Sequence, residues 1–400
     1  MRSTIPPADP VPTKRGALAR AGRVLAAEAR LCLGPPRPES VPRTPDLLTA
    51  EWLTAVLCRG VPRAEVTSVT RPRAASWGTT TRAALQVAYN QAGTGAGLPR
   101  HLFVKCTSSV PQRLMLGMGG LISGEAGFYE HIRPQLEIEA PAGYFGTVDA
   151  QSWRSIVVME DVSVTRGACF RTAEPLSRAQ MEDLLASVAR WHGALWESPS
   201  LATTWNWLRT PAEQARLIEA LIGMADRTGA GARRAAAALP PNLRDRQAEL
   251  FEGMRRSLTW LGEPPHTYLH GDLHLGNTYA TPDGRMGVCD WQVGLRGGWA
   301  HDVSYLLITG LDVRDRRSWE RDLLALYLEQ LTQSGGVAPS EPDAWLAYRR
   351  ATLYPYFAWI YTLGRSRLQP RFQAPEMALT LIGRIAAAIE DLDSLGAAGL

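Results

Sequence analysis

The sequence predicts an α+β protein with a small strand-rich N-terminal part and a larger, mainly helical remainder. Three observations carry this. Short β-type stretches gather before Glu160, helical periodicity dominates after Asp161, and a chain of 400 residues with 45% hydrophobic and 20% charged content has an ordinary globular composition.

The first 46 residues are an extension punctuated by Pro6, Pro7, Pro10 and Pro12, then by Pro35, Pro36, Pro38, Pro42 and Pro45, around one helix from Ala17 to Leu33. In that helix Leu18, Ala21, Leu25, Ala29 and Cys32 share one stripe, with Arg20, Arg23 and Arg30 on the far side and Glu28 near the edge. The stripe holds no aromatic anchor. It fits a helix packed on the neighbouring lobe better than one lying on a membrane surface.

Strands follow at Val66 to Thr70, Arg82 to Tyr89 and His101 to Cys106, with a Gly-rich turn at Gly93 to Gly97, and read as an antiparallel meander. A helix from Ile122 to Arg133 stops at Pro134, and Arg154 to Met159 returns to strand. Beyond Asp161 the expected helices are Arg178 to Trp196, Pro211 to Ala225, Arg244 to Leu261, Arg316 to Leu331, Asp343 to Arg367 and Pro375 to Leu395. One short strand, Arg285 to Cys289, enters through the turn Pro282-Asp283-Gly284.

Several function classes are disfavoured. No stretch reaches the roughly 18 apolar residues of a membrane span, and Met1-Arg2-Ser3-Thr4 leads into prolines rather than a signal-peptide core, so a cytoplasmic protein is expected. The five cysteines form no Cys-x-x-Cys pair. A formal charge of +4 with dispersed basic residues gives no reason to expect nucleic acid. Of 43 basic residues, only Lys14 and Lys105 are lysines.

The chemistry gathers in Tyr268-Leu269-His270-Gly271-Asp272-Leu273-His274-Leu275-Gly276-Asn277, followed after a hairpin by Val288-Cys289-Asp290-Trp291-Gln292. Phosphoryl transfer from a nucleotide asks for an acceptor or orienting group for the attacking hydroxyl and for hard oxygen ligands to magnesium. Asp272, in a Gly-flanked loop, suits the first task, and Asn277 and Asp290 suit the second. His266, His270 and His274 recur every fourth residue, but Pro264, Pro265, Gly271 and Gly276 argue against the helix that would align them on a metal. His270 is expected to brace the loop instead.

The segments HGDLHLGN and CDWQ resemble the catalytic and metal-binding loops of aminoglycoside phosphotransferase and choline-kinase-like enzymes, and the Trp-Gln after the second aspartate resembles the ecdysteroid-kinase-like branch. The resemblance implies a protein-kinase-like two-lobed fold: a nucleotide-binding lobe over 47–160 and a catalytic, acceptor-binding lobe over 161–400. It implies that Asp272 is the catalytic base and that Asn277 and Asp290 bind Mg2+. It also implies that Lys105, in the strand Leu102-Phe103-Val104-Lys105, meets the phosphates of ATP or GTP with Glu125 as its helix partner. Ser76 and Gly78 fall where a phosphate-covering loop belongs, although the segment departs from G-x-G-x-x-G. Glu160 and Val162 fall at the hinge, where backbone groups receive the base. Asp302 resembles the acidic residue that anchors the catalytic loop; a helix cap is the other reading.

The acceptor is expected to be a small hydroxylated molecule. Arg349, Arg350, Arg365, Arg367 and Arg371 in the helical lobe point to a neutral, apolar or anionic one, and the aromatics there, Tyr354 and Trp359 among them, fit core more readily than pocket. The competing reading is a catalytically silent kinase-like module that binds a nucleotide or partner.

Overall fold

The computed structural model describes residues 3–33, 41–71, 75–77, 79–222, 224–365 and 373–400. It divides into two compact units, Met1–Gln135 with Pro141–Ala168, and Leu136–Ala140 with Cys169–Leu400.

The first unit contains α1 (Lys14–Leu33), α2 (Ala50–Leu57), β1 (Val66–Thr70), β2 (Ala75–Trp77), β3 (Thr80–Tyr89), α3 (Gln91–Gly95), β4 (His101–Cys106), α4 (Val110–Met118), α5 (Gly124–Gly127), β5 (Gly143–Val148), β6 (Ser155–Glu160) and α6 (Val162–Thr165). Its six strands pair antiparallel in the order β1-β3-β4-β6-β5, with β2 added on β3. Strand alternation decides what each face carries. Leu85, Val87, Leu102, Val104, Ile156 and Val158 bury toward Leu53 and Val56 of α2. Lys105, between Val104 and Cys106, therefore projects from the other face of β4. On that face α5 lies so close to β5 that a Cβ at Gly146 would stand 2.6 Å from the Ala126 carbonyl oxygen. Only glycine permits this approach, which sets the height of Glu125.

The second unit contains β7 (Cys169–Phe170), α7 (Arg178–Ala194), α8 (Pro211–Ile222), α9 (Met224–Arg234), α10 (Pro241–Arg244), α11 (Gln247–Leu261), β8 (Thr267–Leu269), β9 (Thr278–Ala280), β10 (Met286–Val288), β11 (Leu295–Gly297), α12 (Ala300–Gly310), α13 (Val313–Gln333), α14 (Glu341–Ala351), α15 (Leu353–Leu363), α16 (Pro375–Asp391) and α17 (Ser394–Ala397). Two small antiparallel sheets, β10-β9-β7 and β11-β8, are set among the helices. Every residue of α12 is buried, so this helix is a fixed post beside the loop that follows β8.

The α+β architecture agrees with the sequence reading, while several elements differ. The expected helix from Asp343 breaks at Thr352 into α14 and α15, because Pro355 has no N–H to give to the Ala351 carbonyl. The helix expected from Ile122 is α5 followed by a π-helical turn, Phe128–Ile132. The Gly93 turn is the short α3, capped by the Asn90 side chain on the Gly93 N–H. The elements α4, α9 and β5 were not read from the pattern, and Ala75–Trp77 is strand rather than loop. The helix α1 buries Ala17, Val24 and Glu28, one strip around from the expected stripe, so Leu18 and Leu25 remain exposed.

Candidate active site

In the second unit the site is built on one loop, and Asp302 holds that loop. Its carboxylate accepts the His270 N–H at 2.6 Å on Oδ2 and the Gly271 N–H at 3.0 Å on Oδ1. Nε2 of His192 and Nδ1 of His301 each lie 3.4 Å from its oxygens. A carboxylate only accepts, so both rings place their protons toward it, and the other nitrogen of His192 receives the Tyr327 hydroxyl at 2.8 Å. Burial opposes the charge of Asp302, but His192 and His301 outweigh it and hold this carboxyl far below the usual carboxylate range. Burial likewise lowers His192 and keeps it neutral. Asp302 is the third residue of α12 and caps nothing, so it is the anchor and not the helix cap.

The anchored loop turns at Gly271, whose φ of +79° is open to glycine, and a Cβ there would meet the Val293 carbonyl oxygen at 2.2 Å. His270 then braces the turn: Nδ1 accepts the Asp272 N–H at 3.3 Å, and Nε2 donates to the Cys289 carbonyl at 3.0 Å. The other histidines of the four-residue series are spent similarly, His266 on the Gly262 carbonyl and His274 on the Gly276 N–H. They do not converge on a metal.

Asp272 keeps about a third of its side chain accessible, at 34%. Tyr305, one helical turn beyond Asp302 on α12, donates its hydroxyl to Oδ1 at 3.0 Å. Burial, and after it the negative charges of Asp290 and Asp302, raise the Asp272 carboxyl to about 7 against the opposing bonds from Tyr305 and Asn277. His274 Nε2 stands 3.7 Å from Oδ2, and burial lowers that imidazole to about 3, leaving it neutral.

Hairpin register brings the two oxygen donors together. Val288 pairs with Thr278, and the Cys289 N–H reaches the Asn277 carbonyl at 2.9 Å, so Asn277 and Asp290 flank the same hairpin end. Asn277 spends its amide nitrogen on the Asp272 carbonyl at 2.9 Å, which leaves Oδ1 as its donor to a ligand. Asp290 adopts the left-handed conformation, φ 64° and ψ 59°, uncommon for a non-glycine residue and met at functional sites. An amide oxygen and a carboxylate are hard donors that suit Mg2+.

Around Asp272 the walls are aromatic. Tyr305 and Trp359 pack on His274, and Tyr354 packs on both Tyr305 and His301. Tyr305 was the missed residue; its place three residues after Asp302, on the same face of a helix, is the signal that marks it. Arg349 and Arg350, expected near the acceptor, instead donate to the carbonyls of Leu392, Asp393 and Ala397 and fasten the C-terminal segment. Arg367 and Arg371 lie outside the described residues.

In the first unit Lys105 Nζ meets Glu125 Oε1 at 2.6 Å, with both side chains buried. Ser76 lies in β2 opposite Thr81, at the hairpin that returns through Thr79; Gly78 lies outside the described residues. Burial would raise Glu160, but Arg166, Thr165 and the Ala142 N–H outweigh it and hold the carboxyl below its ordinary value. That side chain is therefore occupied within its own unit. Val162 is buried and opens α6, so its N–H is one of the first-turn donors that a helix does not satisfy internally.

Residues 78–336 match the model of the ecdysteroid kinase-like family. No curated protein matches the chain in sequence. Among solved structures, it is similar to spectinomycin phosphotransferase APH(9)-Ia in complex with ADP and spectinomycin, at 12% identity over 87% of this chain and 99% of that one, TM-score 0.46. It is similar to the choline kinase LicA from Streptococcus pneumoniae, at 12% identity over 86% and 98%, TM-score 0.44. A microcompartment-associated aminopropanol kinase gives 15% identity over 83% and 94%, TM-score 0.43. With the family model spanning well over half of its length, the chain belongs to the ecdysteroid kinase-like family.

Proposed function

We propose that the chain is a small-molecule kinase that moves the γ-phosphoryl group of magnesium-bound ATP or GTP to a hydroxyl of a small acceptor, with Asp272 as base. The observation that carries this reading is the gathering at one anchored loop of a partly accessible carboxylate, Asp272, with two hard oxygen donors, Asn277 and Asp290. Magnesium held by Asn277 Oδ1 and Asp290 would offset charge on the phosphate oxygens.

The chain's own residues do the rest. Asp272, its carboxyl near 7, takes the proton of the acceptor hydroxyl at neutral pH as the new O–P bond forms and the bond to the departing nucleoside diphosphate breaks. Tyr305 and the Asn277 amide orient the carboxylate. Lys105, steadied by Glu125, offers its ammonium to phosphate, and backbone amides around Ser76 and Gly78 assist. Near Glu160 the Val162 N–H is the donor for a nucleobase. The aromatic side chains about Asp272 favour a neutral or apolar alcohol.

Labelled nucleotide, magnesium and a panel of alcohols test this. The native chain transfers label, and Asp272→Asn loses turnover by about 100-fold or more while still binding nucleotide. Turnover retained in Asp272→Asn removes that residue from the base role. Nucleotide binding with no transfer to any alcohol favours the silent module.

A further inference from the structure

We propose that α1 seats the protein on an anionic lipid surface. Ordinary amphipathic helices bury their leucines, and α1 does the reverse. Its inward face is Ala17, Val24 and Glu28, and Glu28 is clasped by Arg113 from α4 and by Arg154, whose Nε lies 2.9 Å away. All three side chains of that cluster are buried, so the roll of the helix about its axis is fixed. The consequence is that Leu18, Leu25 and Leu33 face solvent, at 74%, 47% and 88% exposure. With Val11 they make up four of the eight large hydrophobic side chains exposed among the described residues, so the exposure is concentrated here.

At 3.6 residues per turn the three leucines share one side of α1, and Arg15, Arg30 and Arg23 follow them around the helix away from the buried face. Glu28 is the one acid in α1, and its charge is spent inside; Arg20 is paired with Asp9 at 2.9 Å. The free charge on the helix is therefore positive. A second copy of this chain would bring like charges together across a two-fold axis. An anionic bilayer accepts both features at once, the leucines entering the acyl boundary and the arginines meeting headgroup phosphates. With no aromatic residue in α1, apolar insertion alone is shallow, and the seat depends on lipid charge.

The test uses the full chain in sedimentation with vesicles of phosphatidylcholine alone and of phosphatidylcholine mixed equally with phosphatidylglycerol. The native protein goes down with the mixed vesicles at low salt, stays in solution with phosphatidylcholine alone, and is released as salt rises. Leu18→Glu with Leu25→Glu abolishes the binding and, both positions being exposed, leaves the melting temperature unchanged; Leu18→Ser with Leu25→Ser repeats the test without added charge. Arg15→Ala with Arg23→Ala and Arg30→Ala weakens binding by about five-fold per cation. No sedimentation with the mixed vesicles, or leucine variants that bind as well as the native chain, overturns the proposal. So does a dimer in sedimentation velocity that the leucine variants dissolve, since it gives the face to a second copy.

Discussion

Tyr305→Phe removes one oxygen atom and leaves the ring that packs on His274 and Tyr354 in place. What disappears is the 3.0 Å bond to Asp272 Oδ1, which favours the ionised carboxylate. Hydrogen bonds to charged groups are worth about 1.5–3 kcal/mol, and one pKa unit corresponds to about 1.4 kcal/mol. Because about a third of the Asp272 side chain meets solvent, the lower end applies, and the shift should be about one unit upward. The readout is the 13C resonance of the Asp272 carboxyl in aspartate-labelled protein, identified by its loss in Asp272→Asn. In the native chain it should titrate near 7 without magnesium; in Tyr305→Phe, near 8. The acid limb of turnover should move the same way, with about tenfold less of the basic form well below the midpoint. An unchanged midpoint, or one moved downward, refutes the bond as a determinant of this carboxylate.

Further outcomes follow from the anchoring and packing. Asp302→Asn turns an acceptor-only group into one whose amide N–H opposes the donors now facing it, and should cost about 3 kcal/mol in denaturant unfolding, with faster amide exchange at His270 and Gly271. Gly271→Ala forces a Cβ onto the Val293 carbonyl at positive φ; it should abolish turnover while far-ultraviolet circular dichroism remains native. Arg113 and Arg154 overcome the burial penalty and hold Glu28 at about 2, below its ordinary 4.5. A depressed carboxyl stabilises the folded state above its unfolded pKa, and that contribution fades as pH falls from about 4.5 toward 2. Protease cleavage between α1 and α2 should accelerate in that window in the native chain, and Glu28→Gln should be cleaved faster at neutral pH.

The clustering at the candidate site was legible in the sequence because it is local: Asp272, Asn277 and Asp290 fall within one hairpin's length, and two-residue alternation places Lys105 on the face opposite the core. Tyr305 was harder to see, since its role depends on where α12 runs. Pro355 inside a long helical pattern was a visible break, whereas α4 and β5 carry weak periodicity and are defined by what they pack on. The face that α1 buries was not legible. Residue spacing makes the leucine stripe the obvious inward face, and the ion cluster formed by Glu28 with Arg113 and Arg154, distant in sequence, together with the burial of Ala17 and Val24, turns it outward.

In the proposed reaction Asn277 and Asp290 present magnesium to a nucleotide beside Asp272. Calorimetric titration of ATP into the native chain and into Asp290→Asn, each with and without magnesium, tests it most directly. Binding that strengthens with magnesium in the native chain and loses that dependence in Asp290→Asn is the expected result; binding indifferent to magnesium, or unchanged in the variant, removes Asn277 and Asp290 from the magnesium site.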